Sequence, residues 1–212
     1  MHGETTAAAL LQAAEMIVEA EGLDGLSVRR LADRAGTTTR AVYSSLGSKE
    51  ALLAALGVRA FQLLGEQVAA IPRSEDPAAD LVSAGTHGFR RWVLQHPALF
   101  RIGFQHQVSI PHEVWSQIGV SAEHALGGLH DLIRRLEHVG GLGGRTVDEA
   151  TWQFHALCEG LAIVDLRAGT PDDTTPRWAD ALTALITGWR AGRTLASVMN
   201  SAAGPSTTPA TA

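Results

Sequence analysis

The chain has 212 residues, of which 45% are hydrophobic, a formal net charge of −5 and a single cysteine, Cys158. This length allows a core for one or two domains, and a single cysteine excludes an internal disulfide, as is typical of a reducing cytoplasm. No apolar run of about 18 residues occurs, and the N-terminus lacks the basic start of a secretory signal. We therefore expect a cytoplasmic protein that does not bind a membrane.

Helical periodicity dominates the chain, with weak strand-like alternation and with breakers at helix-length intervals. We predict an all-α fold of about nine helices. The predicted helices cover 4–21, 28–35, 38–45, 48–70, 77–95, 97–104, 111–138, 147–168 and 176–199. Residues 200–212 are rich in Ala, Ser, Thr and Pro without periodicity, and we expect them to be disordered.

Positive charge is concentrated in one short window near the N-terminus. Every charged side chain from Met1 to Asp24 is acidic, whereas Asp33 is the only acidic residue from Gly25 to Lys49. The basic residues of this window are Arg29, Arg30, Arg34, Arg40 and Lys49. In an acidic chain this distribution argues against general coating of nucleic acid and indicates one small positive patch.

The same window contains the signals of two short helices joined by a glycine turn. Ser27 and Thr38 are good N-caps for these helices, and Gly36 between them suits a turn with positive φ. Ala32 and Ala35 are small enough for a close crossing of the two helices. This is the pattern of a helix-turn-helix, in which the second helix enters the DNA major groove. A structural helical hairpin with solvated arginines fits the same spacing, so the residues alone leave both interpretations open.

As a recognition helix, the segment 38–45 would present its N-terminal residues to the bases. Arg40 can donate two hydrogen bonds to guanine O6 and N7, and Thr39 can reach a base edge or a thymine methyl group. Tyr43 is placed to donate its hydroxyl to a phosphate, and the free N–H groups of helix N-termini also favour phosphate. The predicted DNA contacts are Ser27, Arg29, Thr38, Thr39, Arg40, Tyr43, Ser44, Ser48 and Lys49.

The segment Leu26–Leu53 resembles the DNA-binding domain of the tetracycline-repressor (TetR) family. The family has a capped helix with Ile-Ala, an Ala-Gly turn, a Leu-Tyr pair, a Phe and a Ser-Lys-Glu-x-Leu motif. The corresponding residues here are Ser27, Leu31-Ala32, Ala35-Gly36, Val42-Tyr43, Leu46 and Ser48–Leu52. Thr37 replaces the usual Val and Leu46 the usual Phe, and both can pack in a small core. The resemblance implies a helix-turn-helix DNA-binding domain in 1–47 and a helical ligand-binding and dimerisation domain in 48–199.

Two segments of the second region resemble a subgroup that is named for a Trp-His-Gly motif in its C-terminal domain. One is His96–Arg101, which follows a helix containing Trp92. The other is Trp152–Ala156 with Glu159–Leu161 following, where Ala156 replaces the glycine. We expect the aromatic residues here to line a cleft for a small apolar or amphipathic ligand, with simple core packing as the alternative. The expected pocket residues are Trp92, Phe100, Phe104, Trp115, Trp152 and His155.

The last two helices carry more apolar surface than one face of a bundle requires. In the resembled family such helices pair with their symmetry mates as a four-helix bundle, so the resemblance implies a homodimer. Closure of the monomer core is the alternative use of the same side chains. The expected interface residues are Leu157, Leu161, Val164, Trp178, Leu182, Leu185 and Trp189. A twofold dimer would present two recognition helices to a near-palindromic site on double-stranded DNA.

Other kinds of function find less support in the sequence. No histidine pair has the i, i+4 spacing with acidic support that a metal site needs, and we expect Cys158 to be an inert buried thiol. The glycine cluster Gly140–Gly144 follows no strand, so it is not a phosphate loop. We predict a ligand-responsive transcriptional regulator, most simply a repressor, without metal, cofactor or enzymatic activity. A helical enzyme, or an interaction module with a vestigial DNA-binding head, is the alternative.

Overall fold

The structure, a computed structural model, describes residues 2–104, 112–169 and 173–192, and their side chains in 7–104, 118–169 and 173–192. Every regular element within these residues is helical and none is a strand. The helices are α1 (His2–Glu21), α2 (Val28–Arg34), α3 (Thr39–Leu46), α4 (Lys49–Ala69), α5 (Pro77–Ser83), α6 (Arg91–Gln95), α7 (Pro97–Phe104), α8 (His112–His138), α9 (Val147–Ala168) and α10 (Thr175–Arg190). A π-helical segment, Ala84–Arg90, joins α5 to α6 without a break. If that stretch is counted as one helix, the described chain has nine, which confirms the predicted all-α fold.

The first three helices form a small head around one apolar centre. Leu10 and Ile17 of α1, Leu31 of α2 and Val42 of α3 are buried in a common core. Because helices as short as α2 and α3 are marginal by themselves in water, packing against α1 is what stabilises them.

The helix α4 follows the head directly and is the central helix of the body. Its apolar side chains, including Leu53, Leu56 and Ala60, are buried, and it packs against α7 and α8. By length and composition alone α4 is apolar enough to cross a membrane, with a mean hydropathy of 1.2, but half of that stretch is buried inside the fold. The core position of α4 accounts for its apolar composition.

Asp80, in the first turn of α5, is buried at a point where three elements meet. Ser74 of the preceding linker donates to its carboxylate from the backbone N–H at 3.0 Å and from the hydroxyl at 2.6 Å. Arg135 of α8 forms an ion pair with the same carboxylate and donates to the Ser74 carbonyl at 2.6 Å. Burial by itself raises the pKa of Asp80, but the hydrogen bonds and the Arg135 charge outweigh it and hold the pKa below its usual value.

A second buried carboxylate, Asp165 of α9, joins the π-helical segment to the last two helices. It accepts hydrogen bonds from Trp178 Nε1 at 2.9 Å, from Thr174 Oγ1 at 2.6 Å and from Arg90 Nε at 3.3 Å. Arg90 is the last residue of the π-helical segment, and its guanidinium also donates to Thr175 Oγ1 at 2.9 Å. A buried carboxylate with several donors is satisfied, so this network fixes α9 and α10 against the middle of the chain.

The predicted helix bounds agree with the structure to within about two residues everywhere except at the C-terminus. There the helix ends at Arg190 and not at Met199. The reason is that Gly192 adopts a φ of 69° and the Arg145 guanidinium donates to the Trp189 carbonyl at 3.3 Å, which satisfies an acceptor at the helix end. Residues 193–199 and the predicted disordered tail 200–212 lie outside the described residues.

We expect Asp80→Asn to lower the free energy of unfolding at neutral pH by about 2 kcal/mol, the order of a hydrogen bond to a charged group. The pKa of Asp80 is lowered in the folded state, so its stabilisation is present above the unfolded pKa of about 3.9 and is lost as the pH falls through the folded value. Urea unfolding at several pH values should therefore show that wild type loses more stability on acidification than the variant.

The matched control is Asp131→Asn, because Asp131 also pairs with an arginine, Arg134 at 2.8 Å, but at the surface. An exposed pair of this kind contributes less than about 1 kcal/mol. Equal destabilisation by the two substitutions would contradict the role given to the buried carboxylate.

Candidate DNA-binding surface and ligand cavity

The starts of α2, α3 and α4 are capped by side chains, as the sequence predicts. Ser27, Thr38 and Ser48 each accept a hydrogen bond from the backbone N–H three residues later, at 3.3, 3.2 and 3.2 Å. The caps determine where α2, α3 and α4 begin. Other N–H groups in each first turn have no intrahelical acceptor, which makes these ends suitable for phosphate.

The turn between α2 and α3 depends on one glycine. Gly36 has a φ of 63°, and the next residue, Thr37, donates its backbone N–H to the Ala32 carbonyl at 2.9 Å. Because a side chain is strained at this φ, Gly36 allows the tight reversal that a helix-turn-helix needs.

The predicted DNA contacts of α3 share one face of the helix. Thr39, Arg40, Tyr43 and Ser44 are spaced i, i+1, i+4 and i+5, and all lie toward solvent, whereas Val42 is buried in the core of the head. Tyr43 is 57% exposed, which is unusual for an aromatic side chain in a small domain. The remaining predicted contacts are accessible at the surface as well: Ser27, Arg29, Thr38, Ser48 and Lys49.

The positive charges of this face are available for DNA. Arg29, Arg40 and Lys49 form no ion pair with any other residue that the structure describes, whereas Arg30 pairs with Glu21. Contacts to phosphate and guanine require unpaired cations at the surface. The surface thus has the exposure and charge that DNA binding needs, and the individual contacts stay predictions.

The body contains an apolar cavity of about 260 Å³. It is bounded by α4, the π-helical segment, α7, α8 and α9. Its described lining residues are Phe61, Leu64, Val68, Ala84, Phe89, Gly103, Phe104, Ala122, Ala125, Leu126, Leu129, Phe154, His155, Cys158 and Glu159. Pockets for drug-sized ligands occupy about 300–1,000 Å³, so this cavity lies just below that range and suits a small ligand.

Of these lining side chains, only His155 and Glu159 carry nitrogen or oxygen. They stand one turn apart on α9. The His155 ring stacks on Phe104 with centroids 5.6 Å apart and meets the edge of Phe89 at 6.4 Å. Burial lowers the pKa of His155, and the nearby Glu159 carboxylate opposes that effect in part. Burial thus favours the neutral form of the imidazole.

The predicted pocket residues are in part corrected by the structure. Phe104 and His155 line the cavity, but Trp92 and Phe100 are buried behind it and contact the Phe104 ring, with centroids 5.8 and 5.2 Å away. Trp152 is 72% exposed and lies outside the cavity. It stands two residues before the buried Phe154, about half a turn away, and so faces outward. The side chain of Trp115 lies outside the described residues.

The sequence analysis missed most of the lining, including Phe61 of α4 and Phe89 of the π-helical segment. These residues have the same apolar spacing as ordinary core positions, so no signal in the sequence distinguishes them. Glu159 could have been found, because it follows His155 by four residues and therefore shares its face of the helix.

The predicted dimer residues also divide into two sets. Trp178, Leu182 and Trp189 are buried within the monomer, and the Trp189 indole donates to Gln153 Oε1 at 2.6 Å. These three side chains close the monomer core, which is the alternative that the sequence left open. They lie on the side of α10 that packs against α9 and the π-helical segment. The others are partly buried or exposed: Leu157, Leu161, Val164 and Leu185.

We give the name outer face to four accessible apolar residues of the last two helices, which are Leu157, Leu161 and Val164 of α9 and Leu185 of α10. Val164 of α9 is 62% exposed, which is a high value for an aliphatic side chain. A Cβ added at Gly160 of α9 or Gly188 of α10 would meet no atom within 4 Å, so both helices have room for another backbone to approach. The outer face is therefore a candidate interface.

Cys158 is buried, and burial raises the pKa of its thiol, as expected for an unreactive cysteine. Among the residues that the structure describes, no three His, Cys, Asp or Glu side chains are grouped as metal ligands.

Comparison with known proteins supports the interpretation of the head. Residues 10–56 match the family model described as bacterial regulatory proteins, tetR family. No curated protein sequence matches the chain.

Solved structures share the fold over most of the chain. PfmR, a TetR family transcriptional regulator from Thermus thermophilus, has a TM-score of 0.61 and 22% identity, covering 84% of this chain and 96% of that chain. A regulatory protein of the tetR family from Rhodococcus RHA1 has a TM-score of 0.65 and 19% identity, covering 85% and 96%. The transcriptional regulator FadR from Bacillus subtilis, solved in complex with stearoyl-CoA, has a TM-score of 0.66 and 14% identity, covering 88% and 98%.

Together these matches show that the chain has the fold of TetR-family transcriptional regulators and that its N-terminal domain matches the family's DNA-binding domain. The predicted family resemblance is confirmed to that extent. Membership of the Trp-His-Gly subgroup stays a prediction.

We expect Arg40→Ala to weaken binding to a specific DNA site by about 1–3 kcal/mol and to relax the base preference at one position, because it removes a bidentate contact to guanine. Gel-shift titration on the best site and on variants of that site measures both effects. The control is Arg134→Ala, which removes an exposed arginine of α8 outside the head. Unchanged affinity and base preference in the Arg40 variant would remove its role as a base contact.

Proposed function

We propose that the chain is a transcriptional regulator that binds a near-palindromic DNA site as a homodimer and releases it when a small apolar or amphipathic ligand fills the cavity. The observation that carries this proposal is the exposed face of α3, where Arg40 and Tyr43 stand on a helix-turn-helix of the TetR type. A cytoplasmic repressor is the simplest form of this function, and the chain needs no cofactor for it.

Dimerisation follows from how small the DNA-contacting surface is. One head offers a short recognition helix and a few free cations, and its first helix, α1, carries only acidic charges, so a single head gives limited affinity. Two heads related by a twofold axis double the contact area and read two half-sites. The outer face supports this arrangement because Val164 is exposed in the monomer and the other three residues are only partly buried.

Helix α7 connects the cavity to the head, because it contacts both. Its last residue, Phe104, lines the cavity, and its first turn is held by the head. The Glu19 carboxylate of α1 accepts hydrogen bonds from the Ala98 and Leu99 backbone N–H groups at 3.0 and 3.1 Å. Beside this contact, Glu15 Oε1 lies 3.5 Å from His96 Nδ1.

A ligand that displaces Phe104 therefore acts on a helix of eight residues whose other end is bonded to the DNA-binding head. In our proposal the ligand favours a dimer in which the spacing of the two α3 helices no longer matches the DNA grooves. By linkage, DNA must then weaken ligand binding by the same factor.

Selection of the purified chain on random duplex DNA tests the function. We expect a near-palindromic site whose half-sites lie about one helical turn, or a multiple of it, apart. Val164→Asp, in the outer face, should convert the dimer to monomer in analytical ultracentrifugation and lower affinity for the selected site by at least about tenfold, since a desolvated charge is costly in an interface.

Val139→Asp is the matched control, because Val139 is also 62% exposed but lies in the turn after α8, away from the outer face. Selection without enrichment of any sequence would contradict the regulatory function. A dimer that persists in the Val164 variant would contradict the interface and leave the DNA-binding function standing.

Glu19→Ala tests the contact between head and body. It leaves two N–H groups of α7 without an acceptor, so the free energy of unfolding should fall by about 1–2 kcal/mol, as for loss of a helix cap. Hydrogen exchange of the Ala98 and Leu99 amides should become faster, as measured by NMR. Glu21→Ala, which removes only the surface pair with Arg30, is the control. Unaltered exchange in α7 would show that Glu19 does not hold this helix.

A further inference from the structure

The polar groups of the cavity are confined to one place. His155 and Glu159 are adjacent on α9, and the rest of the described lining consists of aromatic, aliphatic and glycine residues with the Cys158 thiol. A ligand in this cavity has its apolar body among rings such as Phe89 and Phe104. Within the described lining, its polar end can be satisfied only beside the histidine and the glutamate.

The polar atoms of these two side chains are not used by the described part of the fold. Within the described residues, His155 and Glu159 form no hydrogen bond and no ion pair with another side chain or with the backbone. Both are partly buried, so their polar atoms lie at the edge of a low-dielectric space without a protein partner. Polar groups in such positions can bind a ligand, and they favour one that supplies their missing hydrogen-bond or ion-pair partners.

The negative charge of Glu159 decides which class of ligand the cavity favours. The Glu159 carboxylate only accepts hydrogen bonds, and no described lysine or arginine lines the cavity to balance an anion. A carboxylate or phosphate in the ligand would face a like charge in a poorly hydrated space, which is strongly unfavourable. An ammonium group would form an ion pair with Glu159, and the neutral His155 ring can accept a further hydrogen bond from it.

We propose that the cavity binds a small apolar amine, with the ammonium group at Glu159 and His155 and the hydrocarbon part among the aromatic rings. The proposal rests on the proposed ligand response of this protein and specifies its ligand class. It assigns Glu159 as the residue that selects cations over anions. The volume of about 260 Å³ limits the hydrocarbon part to a short chain or a single ring with a short chain.

Binding of three probes with one hydrocarbon part and different polar ends tests the proposal. The probes are 4-phenylbutylamine, 4-phenylbutanol and 4-phenylbutanoate, and their affinity for the full chain is measured by isothermal titration calorimetry. We expect the amine to bind at least about tenfold more tightly than the carboxylate, with the alcohol between them. Equal or tighter binding of the carboxylate would overturn the proposal, and so would the absence of binding by all three probes.

Glu159→Gln removes the charge with little change of shape. In this variant the preference for the amine over the carboxylate should fall to within about threefold, while the affinity for the alcohol changes little, because only the ionic contact is lost. Glu123→Gln, an exposed residue of α8 that does not line the cavity, should keep the wild-type preference and so controls for the overall acidic charge. An unchanged preference in the Glu159 variant would overturn its assignment.

The same variants are titrated with DNA in the absence of any probe. Glu123 is exposed and lies outside both the head and the cavity, so we expect wild-type DNA affinity in Glu123→Gln. Intact DNA binding together with no probe binding refutes the amine site alone. If the wild-type chain binds no DNA, the proposed function is refuted instead. The amine site is then judged separately, because the calorimetric result does not depend on DNA.

Discussion

The contact between the Glu19 carboxylate and the first turn of α7 is the interaction on which the arrangement of the molecule depends. The N–H groups at a helix start have no intrahelical acceptor, and here two of them are satisfied by a side chain of the head. Burial raises the pKa of Glu19, while the two backbone N–H donors lower it. The hydrogen bonds therefore balance part of the cost of removing this carboxylate from water, and the head cannot rotate against the body without breaking them.

Two carboxylates that are more fully buried, Asp80 and Asp165, act in the same manner at other junctions. Asp80 joins the linker, α5 and α8, and Asp165 joins the π-helical segment, α9 and α10. Apolar packing between helices is non-directional and tolerates small shifts, whereas a carboxylate with several donors permits one geometry. Between these fixed points the central helices are held mainly by apolar contacts. The cavity lies in that region, where side chains can adjust to a ligand at low cost.

The π-helical segment contributes both to the cavity and to the buried network around Asp165. It contains Phe89 at the cavity and Arg90 at the Asp165 network, so adjacent residues face an apolar space and a buried anion. Gly85 of the same segment has so little room that an added Cβ would lie 2.4 Å from Leu182. A widened turn of this kind is frequent at functional sites, because it redirects side chains within a continuous helix.

The helices, their caps and the exposed face of α3 could be predicted from the sequence because they depend on local chemistry: Ser27, Thr38, Ser48 and Gly36 act within a few residues of themselves. The cavity and the outer face could not, because they depend on which side of each helix meets another helix. Trp152 and Trp178 are both apolar residues on amphipathic helices, yet one is exposed and the other is buried against Asp165. Sequence alone determined a helical protein with a helix-turn-helix at its N-terminus. Only the tertiary structure decided which apolar side chains fill the core, which surround a cavity and which stay available to a partner, since burial is a property of the packed helices together.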